Sequence, residues 1–177
     1  MARVPLLEKE QVDDSLKPMY DGLQERMGFV PNIFKTLAHA PSVAIEFLDL
    51  GRKILNKMNL DPRLRELAIL RVGHIHQADY EWSHHVVIGQ KVGLTMDQIN
   101  GVRDWSQSPH FSKEQQTILK FTDQLIENVR VTEAIFDEIK QFLSLSEILE
   151  LEIAIGYYLS ISRILESLEV EHEGHAT

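Results

Sequence analysis

Apolar residues recur along this chain at helical spacing almost from end to end, and the alternation expected of strands is nearly absent. An opening helical segment is expected from about Glu8 to Met27, interrupted or restarted around Pro18, because a proline is not tolerated in a helix interior. Gly28-Phe29-Val30-Pro31 breaks it, and Asn32 is the expected cap of a short segment, Ile33 to His39. Pro41 opens a helix to about Lys57, with Val43, Phe47, Leu50 and Ile54 on one face. Asp61-Pro62 is a helix start, an N-cap acid followed by proline at the first helical position, and that helix runs to about His76. Asp79 is the expected cap of the next, from about Tyr80 to Val92, closed by Gly93. Thr95 caps a short helix reaching about Trp105, and Ser112 to Gln115 is a capping-box pattern for one reaching about Asn128. Thr132 caps a helix to about Phe142, and Ser146 caps the last, to about Leu168. Glu169 to Thr177 carries little that can pack and is expected to fray.

This pattern predicts an all-α protein. Its 177 residues fit a single helical domain, with an N-terminal helical extension over about 1–40, a central segment over about 60–94 and C-terminal helices over about 112–168. Arg65-Glu66-Leu67 and Leu149-Glu150-Leu151 both place a carboxylate at the head of an apolar helix, the trace of an internal pseudo-duplication. Two amphipathic helices can coincide this way by chance, so nothing rests on it.

Charge and cysteine content narrow the function classes. A formal charge of −9 with no basic stripe argues against a nucleic-acid partner, which needs clustered Lys and Arg. The longest apolar runs are far too short to span a bilayer, and the first residues lack the apolar region of a secretion signal, so a cytoplasmic protein is expected. There is no cysteine, hence no disulfide, no thiolate ligand and no thiol nucleophile.

Candidate chemistry concentrates between Arg63 and His85. The helix from Pro62 is apolar on nearly every side, as a buried helix is, and it carries Glu66 in its first two turns. Burial raises a carboxylate's pKa unless a cation or hydrogen-bond donors hold it charged; Arg63, Arg65 and Arg71 are the nearby candidates. The alternative is that Glu66 only complements the positive end of the helix dipole. On the next helix Glu81 and His85 stand four apart on one face, with His84 flanking. A carboxylate beside an imidazole fixes its tautomer and shifts its pKa, which is how a general base or proton relay is built. A plain surface pair is the bland alternative, worth a few tenths of a kcal/mol. A metal site would draw on His74, His76, His84, His85, Glu66 and Glu81, but adjacent and alternate histidines on a helix diverge, and the His-Glu-x-x-His zinc pattern is absent. His39, His110, His172 and His175 lie in loops or tail and are expected to be solvated.

Three stretches together form a pattern: Gly28 to Pro41, Leu60 to Val72 (Leu-Asp-Pro-Arg-Leu-Arg-Glu-Leu-Ala-Ile-Leu-Arg-Val) and Asp79 to His85 (Asp-Tyr-Glu-Trp-Ser-His-His). This resembles the carboxymuconolactone decarboxylase/AhpD-like superfamily, and the closing helix with Gly156-Tyr157-Tyr158 and Arg163 is similar to the last helix of its longer members. The likeness covers about residues 28 to 168. In the thiol-peroxidase branch the motif is Glu, eleven residues, Cys, two residues, Cys, three residues, His, with a further His directly before the second Cys. Glu66 takes the Glu position here and His85 the final His; Ala78 and Glu81 fall where the cysteines belong, and Tyr80 where the extra His belongs. Both redox sulfurs are gone, so peroxide reduction by a thiol pair is chemically excluded.

The family's other branch is typified by a cofactor-free decarboxylase of aromatic catabolism, whose members are usually shorter than this chain. The resemblance implies an AhpD-like, oligomer-forming helical fold, with trimers or hexamers expected. It also implies an acid–base enzyme (decarboxylase, lyase, isomerase or lactone-acting) on a small carboxylated or lactone substrate, without cofactor or metal. Glu66, Tyr80, Glu81 and His85 are the candidate catalytic residues, with an arginine such as Arg71 as a carboxylate anchor. Two other readings stay open: a metal-dependent enzyme using Glu66, Glu81 and His85 as ligands, and a non-catalytic, ligand-binding oligomer that keeps only the fold.

Overall fold

The computed structural model describes residues 2–173, and among them there are helices and turns but no strand. The expected all-α class is what the chain adopts. Its helices are α1 (Lys17–Met27), α2 (Asn32–Leu37), α3 (Pro41–Lys57), α4 (Pro62–Ile75), α5 (Asp79–Lys91), α6 (Met96–Gly101), α7 (Lys113–Asn128), α8 (Glu133–Ile139) and α9 (Leu145–Ser167). Short 3-10 turns precede α1 and follow α6. The chain divides into two compact units, Met1–Lys53 with Ile164–Thr177, and Ile54–Arg163.

In the first unit, Val12, Leu16, Tyr20, Ala38 and Ala44 form the core. Pro18 does not interrupt a helix; it lies in the first turn of α1, where a missing N–H leaves no bond unmade. The expected cap at Asn32 is not used. Pro31 stands at that position, while the Asn32 side chain donates to the Glu171 carbonyl and its backbone N–H to the Glu173 carboxylate. The tail through residue 173 is therefore held rather than frayed: Val170 and Glu173 are buried, and Arg3 pairs with Glu169. His175 lies outside the described residues.

The apolar face assigned to α3 is rotated. Val43 is 58% exposed and Leu50 41%, whereas Ala44, Gly51 and Ile54 are buried. Helical periodicity fixes which residues share a face, but small residues such as Ala44 and Gly51 can take the covered side without registering as hydrophobic.

The second unit is organised by α4, which packs chiefly on α5 and α7. Asp61 caps it, accepting from the Arg63 N–H at 2.8 Å. From Arg65 to Leu70 every residue is buried, as the all-round apolar pattern predicted. Leu67 and Leu70 meet Leu94, Ile99, Val102, Phe111 and Leu119 in one cluster, with Trp82 and Trp105 at its edge. Gly89 on α5 lies close to its neighbours: a Cβ there would stand 3.3 Å from Leu94 Cδ1, and that side chain would have to shift by a few tenths of an ångström. Gly93 ends the segment at φ +102°, a left-handed conformation open to glycine at no steric cost.

Other boundaries shift by small, explicable amounts. Ala78, not Asp79, is the N-cap of α5, so the Asp79 carboxylate lies in the first turn beside the positive helix end. Thr95 and Ser112 make the expected reciprocal caps. The last helix begins earlier than Ser146: Ser144 Oγ accepts from the Glu147 N–H, and the Glu147 carboxylate accepts from Ser144.

Glu150 on α9 accepts from the backbone N–H groups of Asn59 and Leu60, both at 2.8 Å, and from the Asn59 amide at 3.0 Å. It thereby fixes the turn leading into α4, whereas Glu66 at the head of α4 is enclosed in an ion network. Replacing Glu150 by Ala should lower stability by about 1–3 kcal/mol, since two backbone donors lose a charged acceptor; urea denaturation measures it, and an unchanged midpoint would refute the assignment.

Candidate active site

Three of the four candidate residues converge. Glu66, on the second turn of α4, has no exposed surface. Its Oε1 accepts from Arg65 Nε at 3.0 Å and Nη2 at 2.9 Å, and its Oε2 accepts from His85 Nδ1 at 2.6 Å. The other nitrogen of the same imidazole, Nε2, faces Glu81 Oε2 at 3.3 Å. Arg65, Glu66, His85 and Glu81 therefore form a continuous chain of alternating charge within the second unit. The i,i+4 spacing on α5 places Glu81 and His85 together, and the packing of α5 on α4 brings Glu66 to the opposite side of the ring.

Of the three arginines that could have answered Glu66, the structure uses Arg65, itself buried. Arg63 is engaged by the capping Asp61. Arg71 does not serve as an anchor beside these residues: its Nε and Nη2 hold Asp123 at 2.6 and 3.1 Å, and Nη1 donates to the carbonyls of Val102 and Arg103. Arg71 instead lines a half-open cleft of about 580 Å³, with His74, Gln77, Asp79, Trp82 and Arg103, to which neither Glu66 nor His85 contributes.

Tyr80 is buried and stacks its ring on His84, centroids 4.7 Å apart, on the flank of the Glu81–His85 pair. The histidines diverge as their spacing required: His74 turns to Trp82, and His76 Nδ1 lies 3.1 Å from the Val72 carbonyl. His39 and His110 are exposed as expected, although His39 Nε2 reaches the Pro5 carbonyl, and His172 is exposed with a bond of its own. Two tyrosines were not among the candidates. Tyr158 meets His85 edge-on, centroids 4.6 Å apart at 83°, and Tyr157 meets Tyr158 in the same manner at 5.2 Å. The only signal for them was the Gly156-Tyr157-Tyr158 triplet, since sequence spacing says nothing of a contact made from more than seventy residues away.

The electrostatics follow from burial and partners. Burial opposes a charge on His85, but the hydrogen bonds of Glu66 and then Glu81, with their negative charge, outweigh it and raise its pKa to about 9. The imidazole is thus an imidazolium at neutral pH, both N–H groups directed at carboxylates. Among the four, Glu81 is the most open, with 9% of its side-chain surface exposed against 4% for His85 and none for Glu66. The chain can hold a proton in its interior and pass one at the Glu81 end.

Residues 41–124 match the family model described as the Carboxymuconolactone decarboxylase family. Over those residues the chain is similar to this family, and it contains no cysteine. Solved structures share its fold. One is the alkylhydroperoxidase AhpD core, an uncharacterized peroxidase-related protein from Ralstonia eutropha JMP134, 19% identical with a TM-score of 0.86 over 98% of this chain and 93% of that one. Another is an uncharacterized peroxidase-related protein from Silicibacter sp. TM1040, 15% identical with a TM-score of 0.84 over 98% and 92%. A third is the debrominase Bmp8, solved as a cysteine-to-alanine variant in complex with 2,3,4-tribromopyrrole, 18% identical with a TM-score of 0.80 over 98% and 92%. No curated protein matches the chain in sequence. Ala78, at the start of α5, is buried, and Glu81 is paired with His85.

A pKa raised in the folded state contributes stability that is fully present below about 6.5 and lost as pH rises through about 9. Thermal unfolding followed from pH 6 to pH 10 should therefore show a decline centred between those values that is absent from a His85→Asn variant. Parallel curves for the two proteins would contradict it.

Proposed function

We propose that this protein is a cofactor-independent acid–base enzyme acting on a small carboxylated or lactone substrate. The observation that carries the reading is the placement of one buried imidazole with a carboxylate on each nitrogen, the more open of them Glu81. In this reading Glu81 takes a proton from a carbon beside a conjugated carbonyl, or returns one to it. His85 stabilises Glu81 and carries the relay inward, Glu66 and Arg65 position His85, and Tyr80 assists from the flank. Shift of a double bond and loss of carbon dioxide both need such a site, because each passes through an enolate that must be reprotonated at carbon.

The superfamily and its fold neighbours, among them a debrominase, support a small-molecule enzyme that need not be a peroxidase. Glu66 and Glu81 face opposite nitrogens of one ring, so the three groups do not aim at a common centre. That geometry favours proton transfer over metal ligation at Glu66, Glu81 and His85. Among the described residues no helix is long and apolar enough to cross a membrane. Self-association into a trimer or hexamer belongs to the same proposal, supported by Leu145, Leu149 and Ile153, exposed at four-residue spacing on α9. Light scattering should give a mass above one chain, and Leu149→Lys should reduce it; a wild-type monomer would overturn that part.

The enzymatic reading is tested with α-angelica lactone, an unsaturated γ-lactone, by following its isomerisation in the ultraviolet. Glu81→Gln and His85→Ala should each lower turnover by about a hundredfold or more and alter a bell-shaped pH profile, and chelators should have no effect. Full activity in both variants, or saturable lactone binding without turnover in the wild type, would sink it.

A further inference from the structure

One phenol beside the same site has a hydroxyl with no hydrogen-bond partner among the described residues. Tyr158 on α9 is 5% exposed, and its ring is held between His85 on one side and Tyr157 on another, each contact nearly perpendicular. Buried tyrosines ordinarily find a hydrogen-bond partner for the hydroxyl. Tyr158 has none within the described residues. Its oxygen is nevertheless not sealed in protein, because among the described residues only Thr36 Oγ1 and Ser162 Oγ are both buried and unpartnered. A ring packed against His85 thus carries a hydroxyl that no described residue engages and that is not fully covered.

Electrostatics fix what that hydroxyl can do. Burial and the negative charge of Glu81 and Glu66 push the phenol well above its ordinary pKa, so it stays an O–H donor throughout the neutral range. A neutral carbonyl oxygen accepts a hydrogen bond from such a donor without bringing a charge of its own into the buried site. We propose that Tyr158 donates to the carbonyl oxygen of the substrate and makes this a site for a neutral carbonyl-activated carbon acid, such as an unsaturated lactone. The inference rests on the acid–base reading of Glu81.

The step balances without any further reactant. The C–H bond next to the carbonyl breaks, its proton goes to the Glu81 carboxylate, and the electron pair moves into the C=O to give an enolate. The negative charge lost from Glu81 reappears on the enolate oxygen, where the Tyr158 hydroxyl meets it. Return of the proton to the far carbon of the conjugated system completes an isomerisation and restores the carboxylate.

Two measurements separate this from the reading on which it rests. Deuterium exchange at the carbonyl-adjacent carbon of α-angelica lactone in D2O should fall about a hundredfold in kcat in Tyr158→Phe, with KM nearly unchanged. Phenylalanine keeps the ring and its contact with His85, so a purely packing role would leave the rate intact. Tetronate, a stable enolate of a γ-lactone, should bind a Glu81→Gln variant, whose neutral amide imitates the protonated acid, and bind about tenfold more weakly once Tyr158→Phe is added. Wild-type exchange that Tyr158→Phe leaves unchanged, or tetronate binding that is absent or indifferent to Tyr158, would overturn the assignment while sparing the acid–base reading. Tyr158-dependent tetronate binding without wild-type exchange would uphold the donor and overturn the acid–base reading.

Discussion

The Glu66 carboxylate, fully buried in the second turn of α4, is the constraint on which this site depends. A lone carboxylate taken out of water is so costly that it would protonate or be expelled. Here Arg65 answers one oxygen and His85 the other. That requirement dictates much around it: α5 must pack close enough for His85 to reach Glu66, and α4 must be apolar on its remaining sides. Removing one partner of a buried ion pair typically costs about 3–5 kcal/mol, whereas replacing the whole set by well-packed apolar groups is often neutral. A buried quartet of charges is thus poorly explained by stability alone.

The quartet is also balanced. Arg65 and the imidazolium of His85 supply two positive charges, Glu66 and Glu81 two negative, and the alternation lets each group lower the cost of its neighbour. The chain of charges ends at Glu81, the member with most exposure.

The chain has no cysteine, and Ala78 and Glu81 on α5 differ in what they offer instead. Ala78 is a buried methyl at the start of α5 and offers nothing reactive. Glu81 is different: it puts an ionisable oxygen on the imidazole. Thiol redox chemistry is excluded by the absence of cysteine.

Local chemistry made most helix boundaries legible in the sequence, because Asp61, Thr95, Ser112, Gly93 and the prolines act on their immediate neighbours. The composition alone determined that no thiol chemistry is available, and the spacing of Glu81 and His85 determined that they share a face. Where small or competing residues blurred the signal, the reading slipped: at Asn32, which bonds to the tail, at Ser144, which caps α9, and along α3, where Ala44 and Gly51 are buried in place of Val43 and Leu50. The tertiary structure decided the rest. Choosing Arg65 over Arg63 and Arg71, tying Arg71 to Asp123, and setting Tyr158 against His85 are all matters of which surfaces meet. A sequence specifies periodicity and caps through contacts of a few residues, but which of three arginines answers a buried carboxylate depends on the packing of α4 against α5 and α7. Only the folded chain fixes that.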